Sequence, residues 1–200
     1  MVEGAPLNAT RQRIRREFRQ RRAALAPGER LEAAAGVASH LGGQPDLRQP
    51  GYVGGYWAVA GELPLHSVQL RLAPEQVWCL PMVQDDGSLR FGPWRAGDPL
   101  QPNRFGIPEP VLDPASTLAP AELAWVLLPL LAFDPAGHRL GMGAGYYDRA
   151  FAFRLTAPAP PLLIGVGYHW QGLDAPLPAQ AWDVPLDAAC TELGYRRFGR

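Results

Sequence analysis

Residues 125–155 read WVLLPLLAFDPAGHRLGMGAGYYDRAFAFRL, and this stretch decides what kind of fold the chain adopts. Its first part, WVLLPLLAF, is a continuous apolar run, the texture of a strand buried on both faces of a parallel sheet. The run predicts a strand ending at Asp134, which precedes Pro135 and reads as a turn former. Gly141, Gly143 and Gly145 then follow at alternate positions, and a helical pattern starts at Tyr146. Glycine tolerates positive φ and lets the backbone approach a ligand closely. The start of a helix adds unpaired N–H groups and a partial positive charge. Strand, glycine loop and helix start together predict a phosphate cradle, with Arg139 and Arg149 flanking it. The spacing is neither G-x-G-x-x-G nor G-x-x-x-x-G-K-[ST], so the residues themselves exclude a Rossmann fingerprint and a P-loop. The competing reading is a tight turn that uses glycine for steric reasons alone.

Working outward, YVGGYW (52–57), QVWCLPMV (76–83) and PLLIGVGY (161–168) are further short apolar runs. Helical patterns, LHSVQLRL (65–72) and YYDRAFAFRL (146–155), lie between them, and the Pro-rich LTAPAPP (155–161) reads as a loop. Buried strands alternating with helices predict an α/β fold with a largely parallel central sheet over residues 52–200. A final strand pair is expected around CTELGYRRF (190–198). Two helices are expected over residues 10–42. The first runs over 10–25 with Thr10 as N-cap and Ile14, Phe18, Ala24 and Leu25 near one face. The second starts near Pro27 and ends at Gly42 and Gly43.

The bulk composition narrows the chemistry. A chain of 200 residues, 47% hydrophobic, can bury one sizeable core without disulfides, so a single domain is expected. Cys79 and Cys190 sit far apart in apolar runs and are expected to be reduced, buried and structural. No Cys/His cluster points to zinc. All 19 basic residues are Arg, which removes Schiff-base, P-loop and general-base lysines. Any anion must be held by Arg, backbone N–H groups or metal. No signal peptide or membrane span is evident, so a cytoplasmic protein is expected. Zero net charge argues against nucleic acid as partner.

The segment FDPAGHRLGMGAGYYDR (133–149) resembles the signature FDxxGxRLGxGxGYYDR of the 5-formyltetrahydrofolate cyclo-ligases, also called 5,10-methenyltetrahydrofolate synthetases. The resemblance extends through RQRIRREFRQRRAAL (11–25), YWAVAGELPL (56–65), NRFGIPEP (103–110), LIGVGYHWQ (163–171) and WDVPLDAACTE (182–192). It implies a three-layer α/β sandwich with an N-terminal helical arm, acting as a monomer. It also implies ATP- and Mg2+-dependent cyclisation of 5-formyltetrahydrofolate to 5,10-methenyltetrahydrofolate, releasing ADP and phosphate, by phosphorylation of the formyl oxygen.

Carried over by position, the resemblance assigns ATP to Arg11, Arg15, Arg139, Leu140, Gly141, Met142, Gly143, Ala144, Gly145, Tyr146, Tyr147 and Arg149. It assigns the folate to Trp57, Glu62, Phe105 and Tyr147. A carboxylate at Glu62 suits the N–H donors of a pterin edge, because it accepts and does not donate. Asp148 and Asp183 are the implied metal ligands, with Asp187 a competitor for the second; magnesium takes few carboxylates, with phosphate oxygens and waters completing its shell. Arg13, Arg16 and Arg19 read as a solvated face, and His138 and His169 receive no role. Ala144, Gln180 and Trp182 depart from the family's usual residues. Two other functions are compatible with the sequence: a sugar-phosphate isomerase or acyl-CoA transferase on a similar sheet, and a folate-binding protein without turnover.

Overall fold

In a computed structural model, residues 4–199 are described. Among these residues eleven strands are present: β1 Gly51–Gly54, β2 Gln76–Val83, β3 Leu89–Pro93, β4 Leu100–Pro102, β5 Pro108–Pro110, β6 Leu123–Pro129, β7 Ala132–Phe133, β8 Arg139–Leu140, β9 Leu162–Val166, β10 Ala188–Thr191 and β11 Gly194–Arg197. The helices are α1 Gly4–Ala23, α2 Pro27–Gly42, α3 His66–Gln69 and α4 Tyr146–Ala150.

The central sheet has the order β11-β10-β9-β6-β1-β2-β3. Its inner five strands, β10 to β2, are parallel, and β11 and β3 are antiparallel edges. Alternation along each strand sends side chains to opposite faces. Trp125, Leu127, Ile164, Val166 and Cys190 meet Ala34, Val37, Ala38 and Leu41 of α2 in one cluster. Val126, Leu128, Leu163 and Ala189 meet Phe151, just past α4, in another. The sheet is therefore the middle of three layers, as a strand hydrophobic on both faces requires.

Small residues explain how close α2 comes. Ala33, Ala34 and Ala38 give its buried face no bulk, and Pro27 occupies the first turn, where a missing N–H costs nothing. The Glu29 carboxylate accepts the Ala26 N–H at 2.7 Å and closes that end. The final pair, β10 with β11, forms as the sequence predicts.

Three expectations are corrected here. The first helix begins at Gly4 and ends at Ala23, so Thr10 lies inside it and is not its N-cap. It is no free arm either, since Ile14 and Phe18 are buried with Leu131, Ala132, Leu140 and Leu177. The run WVLLPLLAF is two strands: β6 stops at Pro129, and β7 forms a separate hairpin with β8. Proline has no N–H to continue a ladder, so the chain leaves the sheet there.

Candidate functional site

Counting only the parallel strands, sequence order runs 2-1-3-4-5 across the sheet, and the direction of winding reverses between β1 and β6. Open α/β sheets bind ligands outside the carboxyl ends of the strands flanking such a switch point. A cavity of about 880 Å³ lies there, lined by the loops after β1 and β6, by the glycine loop, by residues 180–183 and by α1.

The hairpin from β7 to β8 launches the glycine loop. Asp134 organises its turn: Oδ1 accepts the N–H groups of Ala136 and His138, and Oδ2 accepts His138 Nδ1 at 3.0 Å and the Leu177 N–H at 2.8 Å. Burial acts to raise the Asp134 pKa, but these hydrogen bonds outweigh it and hold it below the usual carboxylate range. The expected turn former thus also fastens the chain segment at Leu177, and His138 serves that turn.

Gly143 has φ +108° and Gly145 φ +69°, conformations that disfavour a side chain. Arg15 Nε donates to the Gly141 carbonyl at 3.0 Å, and Arg149 Nη1 donates to Ala144 at 2.8 Å. Both side chains keep further N–H groups that make no other hydrogen bond among the described residues. Burial, together with the neighbouring Arg11 charge, lowers the Arg15 pKa from its ordinary value, yet an arginine remains cationic. The helix expected over 146–155 is shorter than its pattern: α4 spans only Tyr146–Ala150 and continues as a 3-10 turn at Ala152–Leu155. One turn supplies little macrodipole, so positive charge in this half of the cavity comes mainly from arginine.

Arg139 and Asp148 form one unit. Arg139 Nη2 donates to Asp148 Oδ1 at 2.7 Å and Nη1 donates to the Val184 carbonyl, while the Val184 N–H donates to Asp148 Oδ1 at 3.2 Å. Asp183 makes a second unit with α1: Arg11 grips it with both nitrogens, at 2.5 and 3.2 Å, and also donates to Pro178. Burial tends to raise the Asp183 pKa, but the hydrogen bonds from Arg11 and the Gln180 N–H outweigh it and lower it.

The other half of the cavity is largely apolar, with one carboxylate and one buried arginine, Glu62 and Arg22. Trp57, 37% exposed, packs edge-on against Trp94 at 5.9 Å. Phe105, 55% exposed, packs edge-on against Tyr146 at 6.0 Å. Glu62, in the loop after β1, is buried and lines the same cavity, with Oε2 accepting the Val59 N–H at 3.1 Å. Burial raises the Glu62 pKa above its ordinary value, opposed by that hydrogen bond and by the Arg22 charge. Burial likewise raises Tyr147, keeping its phenol neutral.

The structure brings nearly all the expected site residues to this cavity. Leu140 is the exception: its side chain is 2% exposed and packs with Leu131 in the core under α1. Asp187, the alternative to Asp183, does not line this cavity. It precedes β10, at the amino edge of the sheet, paired with Arg154 at 2.9 Å and accepting the Leu163 N–H. Cys79 and Cys190 are free and buried, and burial pushes both thiols up to about 12.

One residue escaped the sequence reading. Arg22 is 1% exposed and lines the cavity beside Glu62. Helical spacing was the signal that could have found it: Arg11, Ile14, Arg15, Phe18 and Arg22 follow one face, while Arg13, Arg16, Arg19 and Arg21 are exposed.

Comparison with known proteins agrees with this geometry. A sequence profile of the 5-formyltetrahydrofolate cyclo-ligase family matches residues 7–192. The 5-formyltetrahydrofolate cyclo-ligase of Escherichia coli K12 is 35% identical over 179 residues, covering 87% of this chain and 96% of that protein. The Haemophilus influenzae protein of the same name is 33% identical over 180 residues, covering 88% and 94%. Among solved structures, the 5,10-methenyltetrahydrofolate synthetase of Aquifex aeolicus superposes with a TM-score of 0.81 at 31% identity, covering 95% of this chain and 94% of that one. The Mycoplasma pneumoniae synthetase shares the fold, with a TM-score of 0.68 at 22% identity.

Proposed function

Since the chain belongs to the 5-formyltetrahydrofolate cyclo-ligase family of ligases, we propose that it cyclises 5-formyltetrahydrofolate to 5,10-methenyltetrahydrofolate while converting ATP to ADP and phosphate. The observation that carries this reading is a single cavity with two chemically distinct halves side by side. One half offers a glycine loop with Arg15 and Arg149, and the other offers Glu62 with the aromatic residues Trp57 and Phe105.

A formamide oxygen is a poor leaving group, so the reaction first needs it activated. The oxygen attacks the γ-phosphorus, the bond to the β-phosphate oxygen breaks, and ADP leaves. N10 of the folate then attacks the formyl carbon. The C–O bond breaks, phosphate departs, and the N10 proton goes to solvent, leaving the cyclic methenyl cation. Such phosphoryl transfer depends on positioning and charge stabilisation and needs no covalent nucleophile. Arg15 and Arg149 supply the charge, and the glycine loop allows close approach. Glu62 accepts N–H groups from the pterin edge, and Trp57, Phe105 and Tyr147 wall the ring.

The donor set bears on magnesium too. No cluster of three or more His, Cys, Asp or Glu side chains suited to a metal exists among the described residues. A phosphate-bound Mg2+ needs only one or two carboxylates. Asp148 fits, because its Oδ1 accepts from Arg139 and Val184 while Oδ2 makes no hydrogen bond among the described residues. Asp183 fits less well, with both oxygens held by Arg11. Mg2+ at Asp148 would neutralise charge on the transferring phosphates. Asp183 then acts by holding Arg11, and through it α1, against the ATP half.

The test is optical. Protein mixed with 5-formyltetrahydrofolate and Mg-ATP is expected to produce the methenyl chromophore only when ATP is present. Folded protein that binds the folate but yields no chromophore would leave the folate-binding reading in its place. No helix among the described residues is long and apolar enough to cross a membrane. We further propose that the protein acts as a cytoplasmic monomer with no nucleic-acid partner.

A further inference from the structure

We propose that Arg22 is the positioning residue for Glu62: it fastens the turn that carries the carboxylate and supplies its countercharge. The inference rests on the reading of Glu62 as the folate anchor.

Arg22 reaches out of α1 with its guanidinium fully buried. Nε donates to the Ala60 carbonyl at 3.0 Å, Nη1 donates to the Leu130 carbonyl at 3.4 Å, and Nη2 contacts the Met142 sulfur at 3.8 Å. One side chain thus joins the loop after β1, the loop after β6 and the glycine loop. The turn it holds is strained: Ala60 has φ +49° and Gly61 has φ +77°. A left-handed alanine persists only when its surroundings enforce it, and here the Ala60 carbonyl is held by Arg22. Gly61 also packs on Arg22, since a Cβ there would lie 3.0 Å from the Arg22 carbonyl oxygen.

The ion pair itself is informative. Glu62 Oε1 lies 3.8 Å from Arg22 Nη1, close enough for charge attraction and too far for a hydrogen bond. Arg22 therefore favours the ionised carboxylate and leaves Oε1 available to a ligand N–H, while the Val59 N–H holds Oε2. The other groups facing Glu62 are tyrosines: Tyr56 after β1, Tyr147 in α4 and Tyr168 after β9. Burial keeps all three neutral, and two of them brace the same turn, with Tyr56 donating to Leu63 and Tyr168 to Gly61. The cation opposing desolvation of this carboxylate is Arg22. The pairing works both ways: burial lowers the Arg22 pKa and the Glu62 charge opposes that, so each charge stabilises the other in the cavity.

The experiment follows kcat/KM for 5-formyltetrahydrofolate against pH at saturating ATP. It compares the wild type with Arg22→Met, Arg22→Gln, Arg22→Lys and Arg22→Met combined with Glu62→Gln. The two neutral variants are expected to move the acid limb upward by about one pH unit. They should also raise the folate KM about tenfold at neutral pH while leaving the ATP KM within about threefold. Lysine should restore most of the limb, and the shift should vanish in the Glu62→Gln background, where no carboxylate remains to titrate. Arg22→Gln keeps a hydrogen-bond donor and serves if Arg22→Met does not fold. An unmoved acid limb, or an equal rise in both KM values, would overturn the role given to Arg22. A wild type that makes no chromophore would instead retire the functional reading itself, so the two failures are distinguishable.

Discussion

Replacing Arg15 by alanine tests the ATP half of the cavity most directly. Arg15 spends one N–H on the Gly141 carbonyl and presents the rest of its guanidinium to the cavity. It stands against Gly143, where a Cβ would lie 3.4 Å from the Arg15 Cζ. A hydrogen bond from a charged donor contributes roughly 1.5–3 kcal/mol. At about 1.4 kcal/mol per decade, losing one such bond to phosphate costs roughly 10- to 150-fold in kcat/KM for ATP. The side chain is only partly buried, so screening by solvent places the expected value toward the lower end, about 10- to 30-fold. Glu62 and the aromatic walls are untouched, and the folate KM should stay within about threefold. The assay is the initial rate of chromophore formation with ATP varied at saturating folate, then with folate varied at saturating ATP. A folate KM that rises more than the ATP KM would refute the division of the cavity into two halves.

Gly143→Ala places a side chain at φ +108° and against Arg15; it should cost about 1–3 kcal/mol of stability in a denaturant titration and also weaken ATP use. Asp148→Asn should abolish turnover and the response to Mg2+ in a protein that still folds, at some cost in stability from its weakened pairing with Arg139; a fully active variant would remove Asp148 from the metal. Asp187→Asn should instead lower stability through its lost pairing with Arg154 and leave the Mg2+ response intact. Asp183→Asn breaks the grip of Arg11 and should destabilise by about 3 kcal/mol, with a double-mutant cycle against Arg11→Met showing strong coupling. Asp183 and Asp134 both have folded-state pKa values below the ordinary aspartate value, so their contribution to stability is present above about pH 4 and is lost as pH falls through the lowered values. Stability of Asp183→Asn, measured from pH 6 down to pH 2, should therefore fall less steeply than that of the wild type.

How much was legible beforehand depended on whether the signal was local. The glycine loop was readable because positive φ at Gly143 and Gly145 is a demand on single residues. The parallel sheet was readable because strands covered on both faces need apolar residues at every position, as β6 and β9 have. The break at Pro129 was missed because the apolar run continues through it, and only pairing geometry shows that the ladder has ended. α4 came out shorter than its pattern because the backbone leaves the helical region at Phe151, with φ −108° and ψ 17°, and continues as a 3-10 turn, a change that apolar spacing does not reveal.

Charge was harder to read than hydrophobicity. Seven arginines in α1 look alike in the sequence, yet Arg11, Arg15 and Arg22 take three different partners from distant segments and the other four face solvent. Asp183 and Asp187, four residues apart, end at opposite edges of the sheet, because β10 begins directly after Asp187 and the intervening chain crosses from one edge to the other. The sequence by itself determined the fold class, the glycine loop and the family, all of which rest on local spacing and residue type. Only the tertiary structure decided which arginine meets which carboxylate, because an ion pair is made by the approach of segments far apart along the chain and leaves no periodicity behind.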